Sequence, residues 1–265
     1  MLGMGVPLRV FLVGVAFIGT PAGASARAMD QTPAERPNIV VILADDLGFS
    51  DLGSYGGEIE TPQLDRLARE GLRFTQFYNT ARCSPTRAAL LTGLYPHQAG
   101  MGHMPDGYAT TIRETFAGPA YTDHLSPTTR TIAEALRGAG YATYMTGKWH
   151  LGYQRSQWPS RRGFERSFAI IGGAANYYGW GVQNDGRVGT VEMEMDGEPY
   201  EPPREGFFAT DAFSDQAARY IREHDTSRPF FLYLAYNAPH WPLHAPDEDV
   251  AEYRGRYLER GWDRI

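Results

Sequence analysis

Two unbroken apolar runs, NIVVIL at residues 38–43 and PFFLYLAY at 229–236, most constrain what this chain can become. A strand with one wet face alternates apolar and polar residues, so a run that does not alternate belongs inside a sheet covered on both faces. Between the runs, TPQLDRLARE at 61–70 reads as a helix, with Thr61 as N-cap, Pro62 at the first position and Gly71 past the end. Residues 72–77 read as a short strand, and 85–91 as a helix closed by Gly93. TIAEALR at 131–137 opens on a capping box, Thr131 with Glu134, and stops at Gly138 or Gly140 before a strand at 141–145. Residues 211–223 form an amphipathic helix, and 172–210, rich in Gly, Asn, Tyr and Pro, a long excursion carrying a small hairpin. Strands alternating with helices predict an α/β fold, a mostly parallel sheet sandwiched by helices.

The chain has 265 residues, 42% of them hydrophobic, enough for one large core. Its formal charge of -6 argues against nucleic acid as a partner, and any anionic substrate must be drawn in by a local group of cations. Residues 1–28 read as a secretory signal: Arg9, an apolar run at 10–18, then the small-x-small sequences Ala24-Ser25-Ala26 and Ala26-Arg27-Ala28. That run is shorter than the roughly 20 residues a bilayer span needs, so no stable membrane anchor is expected, and the location is periplasmic or secreted. Residues 36–265 then make one domain. Its last stretch, 251–265, reads as a helical segment without a stop signal, as if the domain continued beyond it.

Cysteine usage narrows the function. An exported chain whose only cysteine is Cys83 has no internal disulfide, and a lone thiol outside the cytosol is an oxidation hazard. A small buried hydrophobe is the bland explanation. The surroundings speak against it: Arg82-Cys83-Ser84-Pro85-Thr86-Arg87 opens a helix, and Pro85 suits its first turn. Cys83 therefore sits near a helix N-terminus, where the dipole favours negative charge, with Arg87 four residues on along the same face. A thiol there is acidified and reactive.

Three more polar clusters follow strand ends, where open α/β sheets bind ligands. Asp45-Asp46 follows NIVVIL; adjacent carboxylates beside a buried strand are tolerable with a hard cation between them, though solvated acids at a turn would look the same. Gly147-Lys148-Trp149-His150 follows the strand at 141–145 and holds the only lysine among 24 arginines. Lys148 and His150, two apart in an extended segment, would face one cavity wall. Asn237-Ala238-Pro239-His240-Trp241-Pro242-Leu243-His244 follows PFFLYLAY. Its prolines stiffen a loop that can hold His240 as an acid or base, with His244 peripheral. His97, His103, His124 and His224 default to surface or packing roles. Zinc fits this set poorly, since it would want more sulfur or histidine at tight spacing. The residues alone lead to hydrolysis of a phosphate or sulfate ester.

RCSPTRAALLTG (82–93) and GYATYMTGKWHLG (140–152) resemble the two signatures of the type I sulfatases. ILADDLGFSDLGSYGG resembles that family's metal-binding opening, and RPFFLYLAYNAPHWPLHAP its later histidine segment, with bacterial arylsulfatases most similar. The resemblance implies an alkaline-phosphatase-like fold and a sulfuric ester hydrolase acting on small-molecule sulfate esters. It implies that a formylglycine-generating or sulfatase-maturing enzyme converts Cys83 to formylglycine, whose hydrate is the nucleophile. Asp45, Asp46 and residue 83 would hold Ca²⁺, in preference to Mg²⁺; Arg87 and Lys148 would neutralise the sulfate. His240 would assist the leaving alcohol or phenol, and His150 would take the proton that releases sulfate. Family members run to about twice this length, and an Asp-Asn pair and a second lysine come from the remainder. Residues 29–265 alone are therefore expected to be inactive or poorly folded. A phosphatase or phosphonate monoester hydrolase of the same superfamily, a carbohydrate sulfatase and a catalytically dead binding module are the alternatives.

Overall fold

A computed structural model of the protein describes residues 36–105, 118–183 and 186–256. The expected leader at 1–28 and the last residues of the 251–265 segment lie outside them. The elements in chain order are β1 (Ile39–Leu43), α1 (Pro62–Glu70), α2 (Cys83–Thr92), α3 (Ile132–Gly138), β2 (Ala142–Lys148) and β3 (Arg166–Ile170). There follow β4 (Trp180–Val182), β5 (Val188–Thr190), β6 (Met193–Met195), β7 (Glu198–Tyr200), α4 (Ala209–Arg222), β8 (Phe230–Ala235) and α5 (Asp247–Tyr253).

Six strands form one sheet in the order β1-β8-β2-β3-β6-β7. The first four are parallel, and β6 and β7 join antiparallel. The excursion at 172–210 thus supplies two hairpins, β4–β5 and β6–β7. Side chains alternate across the sheet, so each face feeds its own core. Phe168, Ile170, Phe230, Leu232 and Leu234 pack with Phe213, Ala217 and Tyr220 of α4 on one face. Met145, Ala169, Phe231 and Tyr233 pack with Ala88 and Leu91 of α2 and Ala133 of α3 on the other. The sheet is sandwiched, as the sequence predicts. Thr131 caps α3 as expected, its hydroxyl accepting from Glu134 N and its N–H donating to the Glu134 carboxylate.

Three expectations need correction. The NIVVIL strand is not covered on both faces: Ile39, Val41 and Leu43 lean on the α2 side, but Val40 and Ile42 are about half exposed. β1 stands at the border of the described sheet, and an apolar groove of about 810 Å³ lies between it and α2, lined by Ile42, Phe77, Leu90 and Leu94. Residues 72–77 form no strand. They lie on the surface, tied down by Arg73 donating to Ser54 O and Tyr55 Oη donating to Phe74 O, with no strand among the described residues paired to them. Thr61 precedes α1 without capping it; its hydroxyl accepts from Gly53 N and donates to Asp65. No helix among the described residues is long and apolar enough to cross a membrane.

One buried acid lies away from the strand ends. Glu194 of β6 is fully buried opposite Ala169; its Oε2 accepts from Gly197 N at 2.6 Å, while Oε1 has no hydrogen-bond partner. Burial raises its carboxyl to about 7. The folded state then holds a proton that the unfolded chain gives up near 4.5. The stability this contributes is full below pH 4.5 and declines as pH rises towards 7. Glu194→Gln should flatten that decline and raise stability at pH 8 by about 3 kcal/mol. Urea midpoints at pH 5 and pH 8 check it; an unchanged difference between the two would show that Glu194 is ionised throughout.

Candidate active site

The carboxyl ends of β1, β8 and β2 lie side by side, Leu43 opposite Ala235 and Ala235 opposite Gly147. Every chemical cluster is carried off one of them or faces them from α2. Asp45 leaves β1, with its N–H donating to Ala238 O at 2.9 Å, so the first acidic residue is tied to the loop after β8. Gly147 lets β2 close on β8. A Cβ there would fall 1.9 Å from Ala235 O, and its φ of +112° is one that side-chain-bearing residues rarely adopt.

Cys83 is the first residue of α2, after Arg82, which gives no side-chain cap. It is partly buried, and its Sγ lies 3.3 Å from Met104 Sδ. Burial opposes ionisation of the thiol. Hydrogen bonds with His150 and His240 and the charge of Lys148 outweigh it, lowering the thiol to about 5. Histidines carried by the ends of two other strands thus add to the acidity expected from the helix end.

Asp45, Lys148 and Arg87 form a buried triad. Lys148 Nζ donates to Asp45 Oδ2, and Arg87 Nη2 lies 3.5 Å from Asp45 Oδ1. All three are nearly inaccessible to water. Burial alone would raise the Asp45 carboxyl, but Arg87 and Lys148 hold it below the usual carboxylate range. Lys148 is lowered by its own burial and by Arg87. Arg87 also donates to Lys148 O at 2.7 Å and to Tyr236 O at 3.4 Å, joining the ends of β2 and β8, while its Nε has no hydrogen-bond partner.

Asp46 behaves differently. Its side chain is 63% exposed, its backbone is left-handed (φ +63°), and its Oδ2 lies 3.6 Å from His240 Nε2. Asp45, Asp46, Cys83, Arg82 and Arg87 line a common cleft of about 350 Å³. His150 reaches Cys83 by a route the sequence misjudges. β2 ends at Lys148, and His150 turns left-handed (φ +56°), so the two side chains converge without an extended backbone between them. His240 Nδ1 donates to the carbonyl of Trp241, which can only accept, leaving Nε2 to exchange protons. Its hydrogen bond with Cys83 raises the His240 imidazole above its ordinary value.

All seven expected residues are thus brought to one place. The remaining histidines take the expected packing roles: His224 bonds Tyr144 Oη, His124 pairs with Asp123, and His97 packs on Tyr121. Two residues that sequence reasoning passed over belong here too. Asn237 is buried, with neither amide atom hydrogen-bonded, and Tyr177 bonds the loop that carries His240. Being the first polar residue after β8 could have drawn attention to Asn237; Tyr177 carries no comparable signal.

Among the described residues no three His, Cys, Asp or Glu side chains group as a ready metal cluster. The donor chemistry nonetheless fits a hard cation, because two carboxylates share the cleft with residue 83 and Asp46 has no buried counter-charge. Asp45 and Asp46 supply at most four oxygens, part of the six to eight that calcium takes.

The family model described as Sulfatase matches residues 37–262. An arylsulfatase of Klebsiella aerogenes is 39% identical over 236 residues, covering 87% of this chain and 48% of the relative. An uncharacterised sulfatase of Schizosaccharomyces pombe is 38% identical over 242 residues, covering 86% and 42% respectively. The crystal structure of Ps i-CgsB in complex with k-i-k-neocarrahexaose superposes with a TM-score of 0.69 at 33% identity, covering 83% of this chain and 49% of that one. The chain spans about half the length of the relatives it matches. Its solved neighbours have the alkaline-phosphatase-like fold expected from the motifs. With a family match along nearly the whole described region, this chain belongs to the sulfatase family.

Proposed function

We propose that the protein hydrolyses sulfate monoesters, aryl sulfates foremost, to sulfate and a phenol or alcohol, using a nucleophile made from Cys83. The observation that carries this reading is the convergence on one side chain, at a helix start, of His150 and the buried Lys148 from the end of β2 and of His240 from the loop after β8. Formylglycine at position 83, made by a maturation enzyme, would supply a pair of geminal hydroxyls. A divalent cation, Ca²⁺ rather than Mg²⁺, held by Asp45, Asp46 and residue 83, would supply positive charge beside the sulfate.

The chain's own groups do the rest. Arg87 and Lys148, fixed by carbonyls and by Asp45, offer the sulfate oxygens cations that need no reorganisation. His240, its Nδ1 held by the Trp241 carbonyl, donates a proton from Nε2 to the departing oxygen. His150 accepts the proton from residue 83 when sulfate is released. An exposed indole, Trp241 at 61%, stands next to His240 and favours an aromatic leaving group. Residues 1–28 would direct export to the periplasm or beyond.

Charge separates sulfate from phosphate. Asp45 offsets one of the two charges of Arg87 and Lys148, so the protein's own cations match the single charge of a sulfate monoester better than a phosphate dianion. One charge-assisted contact is worth about 1.5–3 kcal/mol. In the whole, matured protein, kcat/KM for 4-nitrophenyl sulfate should therefore exceed that for 4-nitrophenyl phosphate by at least about tenfold. Equal or reversed values would make it a phosphatase.

A further inference from the structure

We propose that Tyr177 is a positioning residue for His240, holding from beneath the loop that aims the imidazole at residue 83. This rests on the reading of His240 as the proton donor to the leaving group. Tyr177 lies between β3 and β4 and is 2% exposed. Its hydroxyl lies 2.7 Å from Asn237 O and 2.7 Å from His240 O, so its one proton is shared between carbonyls at the two ends of the turn from 237 to 240. That turn's own backbone bond, His240 N to Asn237 O, is 3.0 Å.

The grip extends along the loop. Tyr177 N–H donates to His244 Nδ1 at 3.3 Å, and the two rings meet edge to face at 5.8 Å between centroids. Tyr178 also packs on His244, at 5.5 Å between centroids, and its hydroxyl donates to Ala245 O at 3.0 Å. His244 therefore has a place, packed against two tyrosines.

The loop needs an outside clamp because Pro239, Pro242 and Pro246 lack N–H groups, so its backbone has few bonds of its own. The clamp must also stay a donor. Burial and the neighbouring carboxylates of Asp45 and Asp46 all raise the Tyr177 phenol above its ordinary value, so it keeps its proton.

Tyr177→Phe removes the hydroxyl and keeps the ring. In the whole, matured protein, kcat is measured for aryl sulfates from 4-nitrophenyl to unsubstituted phenyl. A poor leaving group needs its proton most, so the loss should grow along the series, from under about threefold to about thirtyfold, with KM unchanged. His240→Ala should show the same trend more steeply, and the double variant should be no slower than His240→Ala. Tyr178→Phe, which leaves the Tyr177 hydroxyl on the 237–240 turn in place, should steepen the trend less than Tyr177→Phe. If Tyr177→Phe does not fold, His244→Ala, which removes this packing, should steepen the trend instead. A uniform loss along the series, or losses that multiply with those of His240→Ala, would overturn the positioning role while leaving His240 as the acid. No trend in His240→Ala would remove the acid assignment and this inference with it.

Discussion

Cys83→Ala is expected to lower turnover of 4-nitrophenyl sulfate by at least about 10⁴-fold in the whole, matured protein, with the fold intact. The size follows from what converges on this one atom. His150, His240 and Lys148 converge on the side chain at position 83 and, on the proposed reading, serve the group made from it, so removing it leaves three placed groups with nothing to activate. If Arg87 and Lys148 hold the sulfate oxygens as proposed, both remain in the variant, and binding should survive better than kcat. Stability should change little, because Cys83 is only partly buried. Cys83→Ser sharpens the test. A single hydroxyl can accept sulfate but has no second one to expel it, so at most one turnover and a stably sulfated peptide are expected by mass spectrometry. The parent peptide should show the lower mass of an aldehyde in place of a thiol. A Cys83→Ala variant that keeps its full rate would end the proposed mechanism.

Much of this site was legible because each part is written locally. Asp45, Lys148 and His240 each follow an apolar run directly, and the rule that ligands gather beyond strand ends puts them together without coordinates. Cys83 and Arg87 needed only a helix start and a spacing of four. What was not legible depends on partners far along the chain. The exposure of Val40 and Ile42 is set by what covers β1, and no feature of NIVVIL reports that. Residues 72–77 have the composition of a strand but pair with no strand among the described residues, and pairing is what makes a strand. His150 reaches Cys83 through a left-handed turn that the residues around it do not announce. Tyr177 is the extreme case: its bonds to Asn237 and His240 cross 60 and 63 positions, and before folding it is one of 16 tyrosines.

Asp45→Ala should lower both stability and calcium affinity, and the two losses can be separated. The carboxylate lies between Lys148 and Arg87 with almost no access to water, so its removal leaves two buried cations without their counter-charge. Breaking a buried pair from one side costs about 3–5 kcal/mol, whereas replacing both partners with apolar groups is often neutral. Asp45→Ala with Lys148→Met should therefore regain most of the stability, since Arg87 keeps its carbonyl partners at Lys148 and Tyr236. Calcium affinity should not return with it. If Asp45 is a ligand, both variants should bind calcium at least about a hundredfold more weakly than the parent, by calorimetry on the whole protein. Recovery of affinity together with stability would mean that Asp45 acts on the cation only by keeping the site folded. Affinity unchanged in the single variant would take Asp45 out of the metal shell and leave it as the anchor of Lys148.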